Sequence, residues 1–184
     1  RKAALLDQSY YRLLRLVNNL SLAACMTEER PLRLRDQDLV SLVGEYCERA
    51  AGLAEMAGVN LRFVCVLERH ICAVDSDALE QILSQLLSNS LKFTPAGGTI
   101  TVELRLMKKR VLLSVEDTGC GIAEEQLTKL FDRFLHNNPP ELPSHGLGLG
   151  LALCQRLAEL HGGMVMAVSY LSEEEKNWLK EATK

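Results

Sequence analysis

Four short apolar runs, set as two close pairs on either side of one amphipathic helix, constrain the fold of this chain more than any other feature. The first pair is 61–66 and 71–74, and the second is 99–106 and 110–115; their Val, Ile, Leu and Thr content suits extended backbone. A short charged turn separates the members of each pair, which predicts two antiparallel hairpins, the second turning at Met107 to Lys109. A parallel neighbour would need a crossover of a dozen residues or more, so a doubly wound parallel sheet is disfavoured.

The helix between the pairs shows its apolar arc in Leu79, Ile82, Leu83, Leu86, Leu87 and Leu91. Asp75 or Ser76 opens it, and it ends before Pro95. An earlier helix buries Leu39, Val43, Tyr46, Ala50 and Leu53, opens at Asp36 or Asp38 and stops at Gly58, with a brief strand expected at 32–35 before it. At the N-terminus Leu6, Tyr10, Leu13, Val17, Leu20 and Ala24 recur in steps of four and three, the seam of a helix that packs lengthwise. Downstream, 123–130 reads as a short helix, 135–145 with its three prolines as an irregular loop, 149–160 as a helix and 164–169 as a last strand. The sequence therefore predicts an α+β fold, a two-layer α/β sandwich. Its mixed, mostly antiparallel sheet is covered on one face by helices and preceded by a long N-terminal helix.

Composition narrows the function classes. A net charge of -3 over 184 residues, with both signs interspersed, gives no basic surface for nucleic acid and no patch for a membrane. No apolar run reaches the roughly 18 to 20 residues needed to span a bilayer, so direct membrane contact by this segment is not expected. Six cysteines lie in apolar segments without CxxC or zinc spacing, which predicts reduced core thiols rather than a disulfide framework.

Three motifs carry chemistry. On the central helix Gln85, Asn89 and Lys92 fall at i, i+4 and i+7, a polar row flanking the apolar arc. An Asn carbonyl is a neutral oxygen ligand suited to Mg²⁺, and a nearby Lys offsets phosphate charge. The same row also suits a solvated helix face. Asp117-Thr118-Gly119-Cys120-Gly121 follows an apolar strand, so a carboxylate stands at a strand end beside glycines that let backbone approach a flat ligand. Asp and Gly are equally what a plain turn would use. Gly146-Leu147-Gly148-Leu149-Gly150 precedes a helix start, where free N–H groups favour phosphate oxygens. Its spacing is neither a dinucleotide fingerprint nor a P-loop.

Taken in order, these segments resemble the catalytic ATP-binding domain of bacterial sensor histidine kinases, within the GHKL superfamily that also contains DNA gyrase and MutL. Leu87-Ser88-Asn89-Ser90-Leu91-Lys92-Phe93-Thr94-Pro95 is similar to the family's N box and Asp117 to Ile122 to its G1 box. Phe131-Asp132-Arg133-Phe134 is similar to the F box, Gly146 to Leu151 to the G2 box, and His161-Gly162-Gly163 to the turn that follows. The resemblance implies that Asp117 holds adenine, that Asn89 binds Mg²⁺ with Gln85 as a weaker ligand, and that Lys92 and the second glycine loop attend the phosphates. Phe93, Gly119, Gly121, Ile122, Phe131, Phe134, Gly146, Leu147, Gly148, Leu149 and Gly150 complete the implied nucleotide site, and 135–145 becomes its lid. It further implies ATP and Mg²⁺ as cofactors, a response regulator receiver domain as partner and a homodimer in the full-length protein. The location it implies is the cytoplasmic portion of a membrane-anchored sensor. Residues 1–27 are similar to the second helix of the dimerisation and phosphoacceptor hairpin, 31–169 form the catalytic domain, and 170–184 are an atypical charged tail.

Three departures qualify the resemblance. His70, His136, His145 and His161 all lie in the nucleotide-domain region, so the phosphoacceptor histidine is expected outside this segment; His161 suits a helix end instead. Gln85 stands where these kinases usually carry a second Asn and where ATP-hydrolysing relatives carry a Glu; a neutral amide cannot act as general base. The lid has no Lys or Arg, which leaves Lys92, Mg²⁺ and Arg133 to balance phosphoryl charge. The expected activity is phosphoryl transfer from ATP to histidine. The alternatives are a degenerate module that regulates through protein contacts and a gyrase-type ATP-driven clamp.

Overall fold

Asp38 ends one element and starts the next. In the computed structural model, which describes residues 31–108, 110–132 and 149–169, β1 (Arg35–Asp38) leads directly into α1 (Leu39–Met56). The Asp38 carboxylate accepts from the Val40 N–H at 3.2 Å and the Ser41 hydroxyl at 3.0 Å, which satisfies the open first turn of the helix. The helix closes at Ala57, and Gly58 turns the chain with φ +69°, a left-handed conformation that suits glycine. After β2 (Asn60–Cys65) and β3 (Ile71–Val74), Asp75 caps α2 (Ser76–Phe93) by accepting from the N–H groups of Asp77 and Ala78, both at 3.1 Å. Its other oxygen accepts from Arg33 N–H at 2.8 Å. The helix stops at Thr94, whose extended backbone is what a following proline requires. Next come β4 (Thr99–Met107), β5 (Arg110–Asp117), the single turn α3 (Glu124–Leu127) and α4 (Gly150–Leu160).

The described residues divide into two compact units, 33–127 with 166–169, and 31–32 with 128–132 and 149–165. The first unit carries two sheets. In one, β1 pairs antiparallel with β3; in the other the order is β2-β4-β5, with β2 parallel and β5 antiparallel to β4. Helix α1 lies on β2 and reaches β1 and β3, while α2 lies on β4 and β5. Leu39, Val43, Cys47 and Ala50 of α1, Leu79, Leu83 and Leu87 of α2 and Ile100, Val102 and Leu104 of β4 form the centre of the core. The helix layer over a mixed sheet is the sandwich expected from the sequence. The second unit is built on α4, which buries Ala152, Leu153, Cys154 and Leu157 and ends at His161, whose Nδ1 lies 2.7 Å from the Leu157 carbonyl oxygen.

The structure corrects several sequence readings. The runs 61–66 and 71–74 are strands but not a hairpin: β2 joins β4 and β3 joins β1. Alternation tells which face of a strand is buried and not which edge it pairs with, and the five residues between β2 and β3 let the chain leave. The segment 164–169 forms no strand among the described residues, although its exposure alternates through Met164, Met166 and Val168. The first strand falls at Arg35–Asp38 rather than 32–35, because the carboxylate of Asp38 decides where the helix begins. Only Glu124–Leu127 of the expected helix 123–130 is helical. The hairpin β4–β5 forms as expected, with Lys108 at φ 54° in its turn. The N-terminal helix, the lid and the charged tail lie outside the described residues. Among the described residues five cysteines are free thiols; Cys120 is exposed rather than in the core as expected, and burial pushes Cys47 up to about 11 and Cys154 up to about 12.

Candidate functional site

The last two turns of α2 meet the end of β5. Leu83 and Leu87 keep α2 seated on the sheet, 1% and 3% exposed, and the same stripe continues one step further to Ser90, buried at 5%. The Ser90 hydroxyl donates to Asp117 Oδ2 at 3.0 Å, which ties the helix to the strand end across 27 residues of chain. The other oxygen, Oδ1, accepts from the Gly119 N–H at 2.9 Å and closes an Asx turn. Asp117 is otherwise exposed, so two donors fix a carboxylate that faces solvent.

Glycine at 119 is a steric requirement. A Cβ there would stand 2.7 Å from Asp117 Oδ1 and 2.7 Å from the Phe93 carbonyl oxygen, inside any allowed contact. Gly121 has φ +73°, and the next N–H, of Ile122, donates to Ser169 Oγ at 2.9 Å. Beside the turn, Thr118 prolongs the β4–β5 ladder: its N–H donates to Thr99 O at 3.1 Å and its Oγ1 accepts from Thr99 N–H at 3.0 Å. At Gly98, a Cβ would collide with the Thr94 methyl and stand 2.9 Å from Thr118 Oγ1. The chain here is packed backbone to backbone, which holds Asp117 and the end of α2 in one place.

The predicted polar row is present on α2. Gln85, Asn89 and Lys92 are all half-buried, and the Lys92 ammonium lies 4.7 Å from the centroid of the Phe93 ring. Among the described residues no cluster of three His, Cys, Asp or Glu side chains is placed to hold a metal. Asn89 and Gln85 offer neutral amide oxygens, which suit Mg²⁺ that arrives with phosphate oxygens and keeps its waters, not a cation held by protein alone. The donor set fits a nucleotide-borne metal.

The remaining residues expected at the site belong to the second unit or lie outside the described residues. Phe131 is half-buried in the second unit, and Leu149, 4% exposed, is the N-cap of α4 with Gly150 as its first residue. The helix start after the glycine motif is thus where the sequence puts it, with first-turn N–H groups that suit an anion. Arg133, Phe134, Gly146, Leu147 and Gly148 lie outside the described residues. Sequence reasoning passed over Ser90, although the signal was there: a polar residue at a core step of the helix, seven after Leu83 and three after Leu87. It also passed over Gly98 and Thr118, whose roles depend on what a third element places beside them.

Residues 74–180 match a family described as histidine kinase-, DNA gyrase B- and HSP90-like ATPase. The sensor protein KdpD of Clostridium acetobutylicum is 35% identical over 160 residues, which cover 85% of this chain and 17% of that protein. The sensor histidine kinase CusS of Escherichia coli is 38% identical over 143 residues, 77% of this chain and 28% of that protein. Among solved structures, full-length ShkA in complex with AMPPNP aligns with a TM-score of 0.73 at 28% identity, covering 90% of this chain and 34% of that one. The chain therefore spans less than a third of the length of these curated relatives.

Proposed function

The chain belongs to the histidine kinase-, DNA gyrase B- and HSP90-like ATPase family, and from that premise we propose that it is the ATP-binding catalytic domain of a sensor histidine kinase. The carrying observation is the junction of α2 with β5, where Asp117, held by Ser90 and Gly119, stands beside the helix that presents Asn89 and Lys92. In this reading Asp117 accepts from the exocyclic amine of adenine, and Gly119 and Gly121 let backbone approach the base. Asn89, with Gln85 as a weaker second ligand, would hold the Mg²⁺ that accompanies ATP, and Lys92 would balance phosphate charge. When bound, the metal neutralises charge that develops on the transferring phosphoryl group. The protein's own part is positioning: it fixes ATP so that its γ-phosphate meets a histidine supplied from outside this segment.

The relatives named as sensor kinases support extending the reading to the longer protein. Residues 31–169 are then the catalytic domain, 1–27 a helix of the dimerisation hairpin and 170–184 a variant tail. The partners are a second copy of the protein and a response regulator receiver domain. No helix among the described residues is long and apolar enough to cross a membrane.

Titration calorimetry of ATP against the chain, with and without Mg²⁺, tests the reading. Asp117→Asn is expected to weaken ATP at least tenfold, the cost of replacing an acceptor by a donor against an amine. Asn89→Ala is expected to reduce the Mg²⁺-dependent part of the affinity more than the metal-free part. Unchanged ATP affinity in Asp117→Asn would place adenine elsewhere.

A second reading, a degenerate module that regulates by protein contacts, is favoured by Gln85 and by the absence of Lys and Arg from 135–145. It predicts no metal-dependent affinity in the same titration. The clamp alternative predicts steady ATP hydrolysis by the isolated chain, which the neutral Gln85 amide is unable to support as a base.

A further inference from the structure

The hydroxyl of Ser90 makes the contact that decides how Asp117 presents itself. An exposed aspartate at the end of a strand ordinarily samples several rotamers, and a ligand that needs one of them must order it on binding. Here each carboxylate oxygen has its own donor: Gly119 N–H on Oδ1 at 2.9 Å, and Ser90 Oγ on Oδ2 at 3.0 Å. The first donor is local to the turn, two residues along the chain. The second comes from a buried position on α2, 5% exposed, whose place is set by the packing of Leu83 and Leu87. Only the second bonds the carboxylate directly to a buried side chain of α2.

The contact also leaves acceptor capacity free. A hydroxyl has one hydrogen, and a carboxylate has room for about four donors. With one lone pair on each oxygen used, what remains of Asp117 is acceptor only, aimed by two fixed donors. A ligand must then bring a donor to that position, as a 6-aminopurine does and a purine with hydrogen at C6 does not.

We propose that Ser90 is a positioning residue for nucleotide recognition: through Asp117 it sets the geometry in which the 6-amino group of the purine is bound. The proposal rests on the assignment of Asp117 to the base and goes beyond it in naming the residue that orients the carboxylate and the ligand atom through which its effect is felt.

The test is a cycle between protein and ligand, read by titration calorimetry on the whole chain. ATP is compared with purine riboside triphosphate, which lacks the 6-amino group, against the unaltered protein, Ser90→Ala, Ser90→Cys and Asp117→Asn. Ser90→Ala is expected to weaken ATP roughly threefold to tenfold and to leave the purine riboside analogue within about twofold, because the lost hydrogen bond acts only through the amine. Ser90→Cys, near the same volume with a much weaker donor, is expected to show the same selective loss and guards against a cavity effect in the alanine variant. An equal loss for both ligands would make Ser90 a structural strap between α2 and β5 and overturn the proposal. So would ATP affinity unchanged in both Ser90 variants while Asp117→Asn weakens it, which would leave the base assignment intact. ATP affinity unchanged in Asp117→Asn would instead remove the base assignment and the role of Ser90 together.

Discussion

Helices α1 and α2 are each 18 residues long, each opens on an aspartate, and each turns five buried positions inward. In α1 those positions are Leu39, Val43, Cys47, Ala50 and Ala54, apolar to the last turn; Leu53, expected from its spacing to be buried, is 63% exposed with Ala54 inward in its place, and Met56 is 87% exposed. In α2 they are Ala78, Leu79, Leu83, Leu87 and then Ser90. One helix spends its whole inner stripe on the core. The other gives up the last position to a hydroxyl that reaches Asp117, and carries Asn89 and Lys92 on the adjoining flank. A scaffold helix becomes a site helix through one polar residue at a core step, with its apolar residues unchanged in kind.

The largest effect expected along this comparison is on stability. Leu83→Ala removes a side chain 1% exposed at the centre of the core and is expected to cost about 2–5 kcal/mol, read as a lower urea midpoint at constant slope. Leu53→Ala, on the open flank of α1, is expected to stay within about 0.5 kcal/mol. Comparable losses at the two positions would mean that α1 packs against more than its described neighbours.

The caps come next. Asp75 is 9% exposed and serves three N–H groups, two of its own helix and that of Arg33, so Asp75→Ala is expected to cost about 1–2 kcal/mol. Asp38 serves Val40, Ser41 and the N–H of His70 in a more open setting, and Asp38→Ala is expected to cost less. The His70 N–H is the main reason that the Asp38 carboxyl titrates below its ordinary 3.8. A carboxyl depressed in the folded state stabilises above its unfolded value, and that part is lost as pH falls through the folded one. Denaturation midpoints taken from about pH 5 down to pH 2 should therefore show a shallower acid limb in Asp38→Asn than in the unaltered chain. An identical limb in both would assign the acid sensitivity to other carboxylates.

The smallest effect sharpens the contrast at the helix ends. Thr94 closes α2 where Ala57 closes α1, and its Oγ1 is buried without a hydrogen-bond partner among the described residues. Thr94→Val keeps the shape and removes the unpaired oxygen, so it is expected to be neutral or slightly stabilising by thermal unfolding. A loss of about 1 kcal/mol or more would show that the hydroxyl has a partner in solution.

Much of the fold was legible in the chain because its causes are local. Aspartates at 38 and 75, Gly58 and Pro95 punctuate the two helices whatever surrounds them, and the tight turn at Lys108 leaves β4 and β5 little choice but to pair with one another. The pairing of β2 was not legible, since its alternation names an inner face and leaves both edges equal; the crossover through α2 brought β4 beside it in parallel. The segment 164–169 shows the same limit: alternation supplies a face and no partner, and the bond found there is the one Ser169 accepts from Ile122.

For the site, the sequence by itself determined which chemical groups are present and their order: amides and a lysine on a helix flank, a carboxylate at a strand end, glycines where backbone must come close. What tertiary structure decided was their orientation. The Ser90 to Asp117 bond joins residues 27 apart, and the space forbidden to a side chain at Gly119 is bounded by the Phe93 carbonyl of another element. Periodicity carries information along one helix or one strand. A contact between two elements depends on how both are seated on the core, and that is fixed only when the apolar faces of all of them are buried together.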